Sequence, residues 1–429
     1  MGASPMRHPL LLAGSLAALL TVSASLPAKP VQTPAQIAEA ALTASPVWDG
    51  HNDVPEQLRD RRGNVLGDFN FRDTTGTADP AKGVGAMQTD LTRMRQGHMG
   101  AQFWSVYVSA NLTDQQAVQA TLEQIDVMKR VIARYPADMQ FCVDSACVQG
   151  AWKAHKIASL LGMEGGHSIG GSLAVLRQMY ALGARYMTLT HFKNTAWADS
   201  ATDAPVHGGL TPLGKDIVRE MQRLGMLVDL AHVSERTMLD TLAIAGAPVI
   251  VSHSNAYALN PHPRNVTDAA LDAIKANGGI VMVNFYPPYV LEAGRQWSAE
   301  RDAAEARFKA LNRGSPAAAK AALAQWDTDH PMPRGSIKDV ADHIDYIAKR
   351  IGADHVGLGG DLDGIEVAIA GMEDVSKYPA LFTELAARGW SQADLEKLAS
   401  RNLLRVLKGA EAYAYAHRGD APYENATYF

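Results

Sequence analysis

The chain has 429 residues, 47% of them hydrophobic and 20% charged, with a formal net charge of −5. That balance supports a large buried core, and it lacks the basic excess of a nucleic-acid binder. The length suits a single barrel domain with insertions.

The N-terminus reads as an export signal over residues 1–28. Arg7 and His8 form a short basic start, and Leu10 to Val22 is an apolar run too short to span a bilayer comfortably. Val22-Ser23-Ala24 and Leu26-Pro27-Ala28 both offer small-residue cleavage contexts. The expectation is a periplasmic or secreted protein whose mature domain, residues 29–429, has no stable membrane anchor. The C-terminal segment from Tyr423 to Phe429 lacks the hydrophobic tail of a lipid-anchor signal, and Met6 stands where myristoylation needs Ser or Thr.

Eight short apolar runs follow in chain order: Val47–Val54, Ala101–Val108, Ala158–Glu164, Arg185–His191, Met226–Val233, Pro248–Ser254, Gly278–Phe285 and His355–Asp361. Their length and β-branched content predict buried parallel strands. Helical patterns lie between them. Asp216–Leu224 and Ile337–Arg350 place apolar residues at helical spacing, and Ser234 is a capping residue for the next helix. The alternation predicts an α/β fold, a (β/α)8 TIM-type barrel, with an open doubly wound sheet as the other option. Pro55–Asp90 is a polar, Gly-rich excursion after the first strand. Between them, Cys142 and Cys147 permit a disulfide in an exported protein, but Cys142 equally suits a core position. A helical insertion after strand seven, about 287–333, contains Arg295–Leu311 and Pro316–Trp326; it suits a lid and a surface decoration equally.

Polar residues recur at the C-terminal ends of these strands. His51 and Asp53 are two apart and point the same way. Glu164, His191, His232, His253 and Asp361 each close a different run. In a barrel those ends form one ring, where active sites sit. Imidazole and carboxylate ligands suit zinc, and two zinc ions sharing a carboxylate can hold a hydroxide at neutral pH. A catalytic thiol is not needed.

Ordered segments then match a known family: Asp49-Gly50-His51-Asn52-Asp53, Gln102-Phe103-Trp104-Ser105-Val106-Tyr107, Glu164-Gly165-Gly166-His167-Ser168, Leu189-Thr190-His191, Asp229-Leu230-Ala231-His232-Val233-Ser234, Ser252-His253-Ser254, Arg264-Asn265-Val266 and Gly359-Gly360-Asp361-Leu362-Asp363-Gly364. The chain resembles the membrane (renal) dipeptidases, zinc metallopeptidases of the amidohydrolase superfamily, from about Pro46 to about Leu407. The resemblance implies two Zn2+ per chain. His51 and Asp53 would bind the first, His232 and His253 the second, and Glu164 would bridge them. Asp361 would shuttle the proton, with Asp363 as the alternative. His191 would bond the oxyanion or substrate carbonyl, and Arg264 would pair with the C-terminal carboxylate.

His167 is expected to orient Glu164 or pack behind it, Asp229 to lie behind the ligands or in the core, and Tyr286 to be a weaker carboxylate partner. His98, His207, His262, His343 and His355 are expected to be ordinary. The implied substrates are dipeptides, with a C-terminal D-residue accepted in some relatives. Alternatives are N-acyl amino acids, β-lactams or lactones on the same two metals, or an exported binding protein without catalysis. A homodimer is compatible with the resemblance, and no nucleic-acid partner is expected.

Overall fold

In a computed structural model, residues 1–6, 9 and 32–424 are described. The export signal of Arg7, His8, Leu10–Val22 and both cleavage contexts lies outside the described residues. The chain divides into two units, 1–33 and 34–429. The first carries no helix or strand among its described residues. All that follows concerns the second.

Among the described residues nine strands run in parallel: β1 (Val47–Asn52), β2 (Met99–Ser105), β3 (Met139–Phe141), β4 (Ile157–Met163), β5 (Ala184–Thr188), β6 (Leu227–Asp229), β7 (Ile250–Val251), β8 (Ile280–Val283) and β9 (Val356–Leu358). Neighbouring pairs run β2-β1-β9-β8-β7-β6-β5-β4, and β2 also pairs with β4. That last pairing, Ala101 with Ala158 through Ser105 with Gly162, closes the sheet into an eight-stranded barrel and excludes the open sheet. β3 is the additional strand. It pairs with Ile157–Ser159, the stretch of β4 that β5 does not reach.

The barrel interior is filled by Trp48, Phe103, Leu160, Tyr186, Ile250 and Met282, all fully buried. Gly162 makes that filling possible, because a Cβ there would strike the Tyr186 ring. The phenol so accommodated reaches up to the first functional histidine.

Helices wrap the outside. The one predicted over Asp216–Leu224 starts earlier, at Pro212, because Thr211 accepts a hydrogen bond from Gly214 N and Pro212 occupies the first turn. Ser336 and Asp339 form a capping box at the start of Ile337–Ile351, whose Val340, Ile344 and Ile347 face the core. Cys142 and Cys147 form a disulfide, with Cα atoms 5.4 Å apart.

The insertion is a helical pair, Glu292–Leu311 and Pro316–Asp329. Arg301 bonds Asp327 at 2.8 Å, and the Trp297 and Trp326 rings lie 5.8 Å apart. Gly294 and Ala319 are its buried residues, so the barrel core does not hold it in place. No helix among the described residues is long and apolar enough to cross a membrane.

Candidate metal centre

Glu164, one residue past β4, lies at the centre of the ring. Its Oε1 is 3.0 Å from His232 Nε2, 3.3 Å from His253 Nε2, 3.5 Å from His51 Nε2 and 3.7 Å from His191 Nε2. His51 Nε2 is also 3.3 Å from Asp53 Oδ2 and 3.9 Å from Asp361 Oδ1. The four strand-end histidines predicted from sequence therefore converge on one carboxylate, and Asp53 and Asp361 join them through His51.

The chemistry of these donors fits metal ions. His51, Asp53 and Glu164 form one group of ligand atoms within 4.8 Å of one another, and Glu164, His232 and His253 form a second. His51 Nε2 and both Asp53 oxygens are buried without a hydrogen-bond partner. Buried polar atoms are rarely left so unless something else binds them. Asp53 stands at the N-cap of the helix Val54–Arg62 yet makes no capping bond, which leaves its carboxylate for the cluster. His232 Nε2 faces His253 Nε2 at 2.9 Å, an arrangement of lone pairs suited to a shared cation. A third group adds Asp361 to His51 and His253, so the residue expected to shuttle the proton borders this cluster.

The outer partners fix ring orientation. Tyr186 OH lies 2.8 Å from His51 Nδ1. Ser252 Oγ lies 2.8 Å from His253 Nδ1 and donates to Asp229 Oδ2 at 2.6 Å, where Thr188 also donates. Asp229 is thus the carboxylate behind His253. His167 does not bond Glu164; its Nε2 lies 2.9 Å from the Val108 carbonyl and anchors the loop after β2. Asn284 Nδ2 donates to Asp361 Oδ2 at 2.8 Å. Asp363, the alternative acid/base, accepts from Gln88 N at 2.8 Å. Burial, offset by that bond, raises its carboxyl to about 6.

Charge is distributed unevenly. Burial acts to raise the Glu164 carboxyl, but His51, His191 and hydrogen bonds from His232 and His253 outweigh it and hold it well below the usual range. Asp361 moves the other way: burial raises it well above the usual range, with Asp53 and Glu164 adding and His51 opposing. Burial lowers His191 to about 4, so this imidazole is neutral near pH 7.

His232, Asp361 and Asp363 adopt left-handed backbone, with φ of 62°, 61° and 67°. That conformation strains residues other than glycine, and strain of this kind clusters at functional sites. Gly364 must be small, since a Cβ would meet Asp53 and come within 2.8 Å of Asp361 Oδ1.

Above the cluster opens a cavity of about 440 Å³, in the range of small-molecule sites. Glu164, His191, His232 and Asp361 line it, and so does Tyr286. Arg264 does not. It is fully buried, bonding Ser254 Oγ and the His253 carbonyl, with its guanidinium 5.3 Å from the centre of the Tyr289 ring that does line the cavity. His262, expected to be ordinary, lines the cavity too, packed 4.6 Å from Tyr289. Glu56, Tyr107, Asp302 and Glu366 were also missed. Tyr107 ended a quoted motif, and Glu56 lies three residues past Asp53 in the first helical turn after β1; those were the available signals. Among the other histidines, His343 bonds Ala256 N and His207 the Thr195 carbonyl, both structural roles.

Residues 35–420 match the family model described as membrane dipeptidase, peptidase family M19. A dipeptidase of Claviceps purpurea, tcpJ, is 38% identical over 383 residues, 87% of this chain and 79% of its own. An uncharacterized dipeptidase of Schizosaccharomyces pombe is 40% identical over 395 residues, 89% of this chain and 85% of its own. The solved probable dipeptidase PvdM of Pseudomonas aeruginosa superposes with a TM-score of 0.76 at 25% identity, covering 89% of this chain and 99% of that one. A metallo peptidase of Rhodobacter sphaeroides shares the fold, with a TM-score of 0.68 at 24% identity over 85% of this chain and 99% of that one. With the barrel, the ligand ring and the cavity in place, the chain belongs to the membrane dipeptidase family of metallopeptidases, peptidase family M19.

Proposed function

We propose that this dipeptidase works with two zinc ions, one on His51, Asp53 and Glu164, the other on Glu164, His232 and His253. The observation that carries the reading is the Glu164 carboxylate ringed by imidazoles, beside buried ligand atoms without partners. Bound there, the ions supply Lewis acidity, polarising the scissile carbonyl and making water acidic near neutral pH. The side chains do the rest. Asp361, positioned by Asn284, takes the proton from the attacking water and hands it to the leaving amine. His191, neutral, donates a hydrogen bond to the carbonyl oxygen as charge develops. The C-terminal carboxylate sits beside Tyr289, with the Arg264 charge behind that ring.

The Rhodobacter sphaeroides enzyme was solved with a phosphinate mimic of L-Ala-D-Ala. With that ligand as support, we propose that this chain also accepts a C-terminal D-residue. Residues 1–28 are proposed as a cleaved export signal; N-terminal sequencing of the secreted or periplasmic protein beginning at Met1 would refute this.

The test is a panel of L,L and L,D dipeptides plus one tripeptide, run zinc-loaded and after chelation, with bound metal counted. Zinc-dependent cleavage of dipeptides alone is expected. One observation favours a second reading: among the described residues no Lys or Arg side chain lines the cavity. If Arg264→Ala leaves the preferred reaction untouched, no carboxylate is being read, and lactams or lactones without a free carboxylate become the substrates.

A further inference from the structure

The cavity wall includes residues that neither the metal ligands nor the proton transfer employ. Ser298 and Asp302 come from the insertion helix Glu292–Leu311, four residues apart and so on one face. Ile365 and Glu366 come from the loop after β9, and Glu56 from the first turn after β1. Of the six carboxyl groups on the wall, Asp53 and Glu164 are taken by the metal ions and Asp361 by the proton transfer, which leaves Glu56, Asp302 and Glu366 to face a substrate. Glu56, Asp302 and Glu366 belong to none of the candidate metal groups.

The nearby arginines offset that charge only in part. Arg59 is 3.3 Å from Glu56, but its other nitrogens bond Asp60 at 2.9 Å and the Tyr107 carbonyl at 2.8 Å. Arg301 feels the charge of Glu366, but its fork is held by both oxygens of Asp327, at 2.8 and 3.1 Å. A concave wall of one sign also focuses the field that a charged substrate meets. An ordinary dipeptide is a zwitterion and gains little net attraction from it. A basic side chain adds the missing positive charge.

We propose that the cavity selects dipeptides carrying a basic side chain, of the lysyl or arginyl class, and that Asp302, Glu366 and Glu56 read that charge. This gives the insertion a substrate-contacting role, and it rests on the zinc dipeptidase reading above.

The test compares kcat/KM of the full-length, zinc-loaded enzyme for matched dipeptides holding lysine or norleucine at each of the two positions. A preference for lysine of about tenfold or more is expected at one position, an effect near 1.4 kcal/mol. It should be expressed through KM and shrink as sodium chloride screens the wall. In Asp302→Asn/Glu366→Gln, both exposed positions, and separately in Glu56→Gln, the lysine-to-norleucine ratio should fall toward one. Equal or better cleavage of norleucine dipeptides overturns the inference and leaves the dipeptidase reading standing. A lysine preference unmoved by salt and by every variant overturns it too. Cleavage of no dipeptide overturns both.

Discussion

Asp361 has one oxygen held by Asn284 and the other 3.9 Å from His51, which makes it a neighbour of the ligands with a different duty. Asp361→Asn is expected to lower kcat/KM by roughly 10²–10⁴, the range of a lost general acid/base. The zinc content should stay unchanged; zinc lost with activity would make Asp361 a ligand instead. Ser252→Ala breaks the link from Asp229 to His253 and should weaken metal binding about 10–100-fold by chelator competition. The strand-end residues were readable from sequence because each polar residue interrupts a buried apolar run. Glu56, His262 and Asp302 were not, because they sit in helices and loops where polar residues are common. Arg264 was readable as a residue but not as a position, since nothing in its segment tells that Tyr289 stands between it and the cavity.

At the scale of elements, the eight barrel strands lie where the apolar runs predicted, and all but β4 are shorter. The run Pro248–Ser254 leaves Ile250–Val251 as paired strand, because Ser252 and the residues after it turn their polar atoms to Asp229 and the site. β3 escaped detection because three residues carry too little alternation to register. The helix Pro212–Leu224 buries Glu220 against Arg177 and Arg223. Burial acts to raise that carboxyl, but the hydrogen bonds from Arg223 and Arg177 outweigh it and hold it below the usual range. Its folded pKa is therefore the lower one, so its stabilisation is full above about pH 4.3, the unfolded value, and is lost as pH falls through the folded value. Glu220→Gln should cost roughly 1–3 kcal/mol at pH 7. The gap from wild type in denaturant melts should close in acid; a gap independent of pH would disprove the assignment.

At the scale of the molecule, closure of β2 on β4 carries histidines from four other strands to the Glu164 carboxylate, so the site exists only when the whole barrel does. Three buried acids, Asp53, Glu164 and Asp361, share that space. Chelation should lower the melting temperature by several degrees and zinc should restore it, since a ligand bound to the folded state alone stabilises it. A melting temperature indifferent to zinc would show that the ring folds without cost. The strand–helix alternation was legible in the sequence, whereas closure into a barrel rather than an open sheet was not, because that depends on contacts across the chain.

The left-handed backbone at His232, Asp361 and Asp363 has a consequence for anyone engineering this enzyme. Glycine would relax these positions, and a search that rewards melting temperature alone would drift toward it. Each such gain would remove an imidazole or carboxylate from the rim of the reaction centre. The durable catalyst and the most heat-resistant variant of this chain are therefore different molecules, and selection must score turnover alongside survival.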